Sequence, residues 1–233
     1  MNHNKAFIIV VVLLSASVSG YELYQRYNAE EEPRFQWPDK VDIPCNPDST
    51  EFDCEVYAQV SSTPVKSLQH PTNNEIWIAA LNGIIASWDG TTMTEIGNLS
   101  DVISNCHNEQ GLLGFEFTHD FSSSQEILLS YTENADCEGG SNLSGMVIAS
   151  VEVVDNKINM NSLVELRTIA KENRNHNGGN LHSLNDGTYL WSLGDGGGSS
   201  DPYGNGQNVH NPLGTIQYFS YGDKTIEPVF DNY

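Results

Sequence analysis

The chain has 233 residues, enough for one large domain or two small ones, and 10 Lys plus Arg face 31 Asp plus Glu for a formal net charge of −21. Nucleic acids and anionic membranes are held through clustered Lys and Arg, so this surface repels both. It suits a self-repelling protein that meets cations or neutral molecules, and a solvated acidic surface is its simplest explanation.

Residues 1–20 read as a secretory signal peptide. Lys5 precedes the unbroken apolar run Ala6–Leu14, and the small residues of Ser15–Gly20 follow. The run is shorter than the ~20 apolar residues a bilayer span needs. Export with cleavage near Gly20 is expected, leaving a secreted, periplasmic or extracellular protein with no stable membrane span. Residues 21–62 carry Glu30-Glu31-Glu32-Pro33 and little apolar periodicity, and read as an irregular N-terminal extension. Cys45, Cys54, Cys106 and Cys137 follow the leader, and an even number in an exported chain implies two disulfides. Of three connectivities, the local pairs Cys45–Cys54 and Cys106–Cys137 are expected, each closing a polar, turn-rich loop. Asn98-Leu99-Ser100 and Asn142-Leu143-Ser144 are N-glycosylation sequons.

From residue 63 the pattern repeats. A first unit holds apolar Val65–Leu68, a turn at 70–74, and strands at Glu75–Ala80 and Ile84–Trp88 that end in Asp89-Gly90. The second has Leu112–Phe117, Glu126–Tyr131 and Met146–Val151, closing at Asp155-Asn156. The third has Gly179–Leu184, Thr188–Leu193 and Leu213–Phe219 before Gly222-Asp223. Trp77, Leu129 and Trp191 occupy corresponding places, about 50 to 60 residues apart, a period that marks β-propeller blades. Stacking explains such a repeat, because one twisted sheet cannot bury both faces alone. The prediction for 63–233 is therefore all-β: about three blades of a propeller, the last lacking its outer strand. A closed ring needs ~4–8 blades. The arc is expected to be part of a larger propeller, the alternative being two arcs assembled into one ring.

The candidate chemistry lies at strand ends, where a rigid sheet displays loop side chains. Glu109 stands just before the Leu112–Phe117 strand, at the expected channel mouth, as a ligand or an ordinary solvated carboxylate. His176 takes the same place before the third blade's first strand, and an imidazole exchanges protons near neutral pH. Gly178 and Gly179 lack a Cβ and would let a planar ligand approach the backbone. Asp195, inside Gly194–Gly198, either orients His176, binds calcium with Ser199 and Asp201, or simply belongs to a glycine-rich turn. The spacing is not an EF-hand's, and no Gly-Lys-Ser/Thr or following helix makes it a phosphate cradle. No metal ligand set is assigned. His70, His107, His119, His182 and His210 have no comparable neighbours in sequence.

These segments together resemble the glucose/sorbosone dehydrogenase family, which comprises soluble quinoprotein sugar dehydrogenases and Hedgehog-interacting-protein-like propellers. The resemblance runs from about 65 to 220 through Glu109-Gln110-Gly111-Leu112-Leu113-Gly114-Phe115, His119-Asp120-Phe121, Leu129-Ser130-Tyr131-Thr132, His176-Asn177-Gly178-Gly179-Asn180-Leu181 and Gly194–Asn208. It implies a six-bladed propeller that binds pyrroloquinoline quinone (PQQ), with calcium, and oxidises a sugar hydroxyl for an electron acceptor. It further implies His176 as the base, Asp195 as its support and Glu109 near the cofactor. The family's basic cofactor clamp and main calcium site lie in later blades. The competing expectation is a secreted propeller that binds a protein or glycan without turnover.

Overall fold

The computed structural model describes residues 56–134 and 144–228. The predicted leader, the Cys45–Cys54 pair, Cys137 and Asn142 lie outside the described residues. Cys106 is disulfide-bonded. No helix among the described residues is long and apolar enough to cross a membrane.

Three four-stranded antiparallel sheets follow one another along the chain, each a simple up-and-down meander. The first contains β1 (Pro64–Gln69), β2 (Ile76–Ala80), β3 (Ile84–Trp88) and β4 (Met93–Asn98). The second contains β5 (Leu112–Phe117), β6 (Glu126–Thr132), β7 (Met146–Val154) and β8 (Lys157–Ile169), with the short helix α1 (Phe121–Ser124) between β5 and β6. The third contains β9 (Gly178–Ser183), β10 (Thr188–Leu193), β11 (Ile216–Gly222) and β12 (Thr225–Pro228). Consecutive sheets stack, β1 on β5 and β5 on β9 along one edge, β4 on β8 and β8 on β12 along the other. The result is a three-bladed arc of a β-propeller.

One expectation needs correction. The third blade does have its fourth strand, β12, paired with β11 from Phe219↔Pro228 to Gly222↔Thr225. Each earlier blade also has a fourth strand, β4 and β8, that the apolar pattern did not announce. These outer strands are mostly exposed, so nothing compels a clean alternation of apolar and polar residues. Two of them are entered by tight hairpins at Asp155-Asn156 and Asp223-Lys224, where both residues have positive φ, the geometry that matches strand twist.

The middle blade explains its own sequence. In β6, Ile127, Leu129 and Tyr131 pack into the core shared with the first blade, while Leu128 packs into the core shared with the third. Both faces are covered, so the strand reads as a continuous apolar run. In β9 and β10 only alternate residues are buried. Trp77, Leu129 and Trp191 lie in the second strand of their blades and are essentially fully buried.

Polar stitches cross the seams as well. The Trp191 indole N–H donates to Ser130 Oγ at 2.8 Å, and the His119 N–H donates to the Tyr189 hydroxyl oxygen at 2.9 Å. Lys66 of β1 pairs with Glu116 of β5 at 3.1 Å and also donates to the Leu181 carbonyl of β9. The same Glu116 Oε2 accepts the Ser183 N–H at 3.2 Å.

Candidate active site

The loop before β5 and the loops flanking β9 and β10 meet at one end of the arc. His176 closes the 170–177 loop with φ +54°, in the left-handed region. Its imidazole Nδ1 lies 2.9 Å from Asp195 Oδ1, and its backbone N–H donates to Glu109 Oε2 at 2.7 Å. Three residues picked from separate stretches of sequence are thus in direct contact.

Glycine makes this approach feasible. A Cβ at position 194 would collide with the His176 carbonyl, so only glycine lets the Asp195 turn close onto the histidine loop. The turn is then pinned from several sides. The Gly194 N–H donates to the Asn177 carbonyl at 3.0 Å, the Asn173 N–H to the Gly196 carbonyl at 3.1 Å, and Asn205 Nδ2 to the Asp195 carbonyl at 2.9 Å.

Asp195 Oδ1 also accepts the Gly197 N–H at 2.9 Å. That bond, chiefly, holds the Asp195 carboxyl below its ordinary range; burial opposes it, and the His176 imidazole adds to the lowering. The aspartate therefore remains an anion and an acceptor, which favours the His176 tautomer carrying its proton on Nδ1. Nε2 has no partner among the described residues, and the side chain is 45% exposed.

Gly178 and Gly179 sit where expected, but the missing Cβ atoms leave room for the protein itself. A Cβ on Gly178 would come within 2.7 Å of the Gly194 nitrogen, and one on Gly179 within 2.5 Å of Leu113 Cβ. Asp201, the other partner considered for calcium, has both oxygens bonded to loop amides, Asn205 N at 2.9 Å and Gly206 N at 3.0 Å. Among the described residues no group of three or more His, Cys, Asp or Glu is arranged to hold a metal.

Of the other described histidines, four stand apart from this constellation. His70 is buried among the Trp77, Phe117 and Phe121 rings at 5.1–5.4 Å, His119 pairs with Asp120 at 3.7 Å, and His182 and His210 are exposed. His107 sits closest, its Nδ1 accepting the Glu109 N–H at 3.3 Å.

Two residues of the site were not singled out from sequence. Asn177, buried, donates from Nδ2 to the Glu109 carbonyl at 2.7 Å; its place between His176 and Gly178 was the available signal. Lys171 is 3% exposed and donates to the Asn173 carbonyl. Burial pulls its ammonium down to about 8, opposed by the Glu109 carboxylate. A lone lysine in a loop gives no sequence sign of burial.

Residues 62–226 match the family described as Glucose / Sorbosone dehydrogenase, and the chain belongs to that family. Its blades are similar to those of the soluble aldose sugar dehydrogenase from Escherichia coli, solved in the apo-form, with a TM-score of 0.56 and 21% identity over 68% of this chain and 44% of that one. They are similar also to the PQQ-bound aldose sugar dehydrogenase from Streptomyces coelicolor, with a TM-score of 0.54 and 18% identity over 79% and 50% of the two chains. A glucose dehydrogenase described as a putative oxidoreductase, from Thermus thermophilus, matches at 0.52 with 18% identity over 67% and 43%. The chain thus spans about half the length of these solved structures or less. No curated protein sequence matches it.

Proposed function

We propose that the chain carries the proton-handling part of a PQQ-dependent sugar dehydrogenase, exported to act outside the cytoplasm and passing electrons to an acceptor. The observation that carries this reading is the His176 imidazole, half-exposed and bound to the Asp195 carboxylate through Nδ1 at 2.9 Å, with Nε2 unpartnered among the described residues. A substrate hydroxyl donates to Nε2, and its proton stays there as the C–O bond gains double-bond character. Asp195 stabilises the resulting imidazolium and keeps the ring aimed. PQQ, when bound, supplies the two-electron acceptor for the hydride that leaves the carbon.

The donor chemistry fits that division of labour. His176 and Asp195 form a base and its anionic support, and neither can anchor an anionic cofactor. Cationic side chains are needed for that; Lys171 is buried, its ammonium spent on the Asn173 carbonyl, whereas Arg174, two residues before His176, is only partly buried. His176 and Asp195 account for taking the proton, and anchoring the cofactor needs cationic groups besides Lys171.

Turnover of aldoses with PQQ, calcium and a dye acceptor tests the reading. His176→Asn should lower kcat by about 100- to 10,000-fold, the usual reach of acid–base catalysis, with PQQ affinity little changed. Wild-type turnover in that variant would remove His176 from the mechanism. Absence of PQQ binding by a complete ring would favour a propeller that binds without catalysis.

A further inference from the structure

We infer that Glu109 is a positioning residue for the His176 imidazole, acting across the seam between the second and third blades through the His176 backbone. This rests on His176 being the base. The resemblance implied a different role for Glu109, contact with the cofactor.

A non-glycine residue at φ +54° sits in the left-handed region, against the steric preference of an L side chain. Its neighbours must therefore hold it there. Glu109 does so twice: Oε2 accepts the His176 N–H at 2.7 Å, and its carbonyl accepts Asn177 Nδ2 at 2.7 Å. One residue of the second blade thus fixes two consecutive residues of the third. Asn177 is almost fully buried, so its side chain forms a rigid post under the turn. Asp195 restrains the same histidine from the opposite end, at Nδ1. The ring is placed by a backbone clamp on one side and a side-chain clamp on the other.

The clamp needs an acceptor at Oε2 and not a charge, which separates it from a cofactor contact. Glu109→Gln keeps a carbonyl acceptor, whereas Glu109→Ala removes it. Glu109 is exposed, so neither change opens a core cavity.

The test is the tautomer state of His176, read by nitrogen-edited NMR on the 233-residue chain without cofactor, together with steady-state kinetics. Wild type should show the Nδ1–H form. In Glu109→Ala that preference should weaken toward a mixture, with kcat down about 10- to 100-fold and KM little changed, the scale of a small misplacement. Glu109→Gln should restore the tautomer and keep kcat within about threefold of wild type. An unchanged tautomer in Glu109→Ala would overturn the inference, as would a Gln variant as disordered as the Ala one. If Glu109→Ala does not fold, Glu109→Met, of similar bulk but without an oxygen acceptor, takes its place. If no form turns over a sugar, the tautomer shift still reports the clamp, and the function alone is lost.

Discussion

His176 Nδ1 and Asp195 Oδ1 lie 2.9 Å apart across 19 residues of sequence, because β9 and β10 run out and back as one hairpin. The two residues stand at the same end of that hairpin, and Gly194 permits the contact. Any β-hairpin of similar length would bring the backbones near each other. Only the left-handed histidine and the glycine turn bring the side chains into register.

Asp195→Asn is expected to reduce kcat by about 10- to 1,000-fold, less than loss of the base itself. The amide can present an N–H where the carboxylate presented only acceptors, which favours the wrong tautomer. Wild-type turnover in Asp195→Asn would mean that Asp195 does not support the ring.

Gly179→Ala should destabilise the fold by about 1–3 kcal/mol in chemical denaturation. Its Cβ would lie 2.5 Å from Leu113 Cβ with φ at +104°, which adds backbone strain to overpacking between β5 and β9. Gly204→Ala is the control. Its φ is +69° but nothing lies within 4 Å, so it should cost only the strain, about 1 kcal/mol. Equal losses would show that the seam tolerates a methyl group.

Apart from β1, which has no buried residue, the inner three strands of each blade were legible because their burial imposes a pattern. Glu126–Tyr131 was written as apolar by cores on both faces, and Thr188–Leu193 as alternating by one. β4, β8 and β12 escaped because exposure leaves their residues free to vary. The rim shows the same division. His176, Asp195 and Glu109 were found by their positions at strand ends, whereas contacts through the backbone, such as Glu109 to the His176 N–H, leave no trace in residue type. Gly178 and Gly179 are points of close approach, yet glycine does not say whether a ligand or another strand approaches.

Lys171→Met should change how stability depends on alkaline pH. The buried ammonium titrates at about 8 in the folded chain against 10.5 for an ordinary lysine. Between those values the unfolded chain binds more protons than the folded one, so stability rises with pH across that window. Below about pH 8 the buried charge is a constant penalty. The Met variant should lose the rise, and urea midpoints taken from about pH 7 to about pH 10.5 would show it. An unchanged slope would mean that Lys171 is solvated.

The Lys66–Glu116 pair should behave as a seam lock whose halves are unsafe apart. Their side chains are 12% and 9% exposed at a separation of 3.1 Å, so removing one charge leaves the other nearly buried. Glu116→Gln keeps one acceptor oxygen where Oε1 and Oε2 took the Phe117 and Ser183 N–H groups, and it removes the charge opposite the ammonium. It should cost about 2–4 kcal/mol, near the lower end for breaking a buried pair. Lys66→Met in the same background should recover part of that loss, because no uncompensated charge remains. Chemical denaturation of the two single variants and the double variant completes the cycle. Additive losses would show that the two charges do not interact; a double variant more stable than Glu116→Gln alone is the expected result.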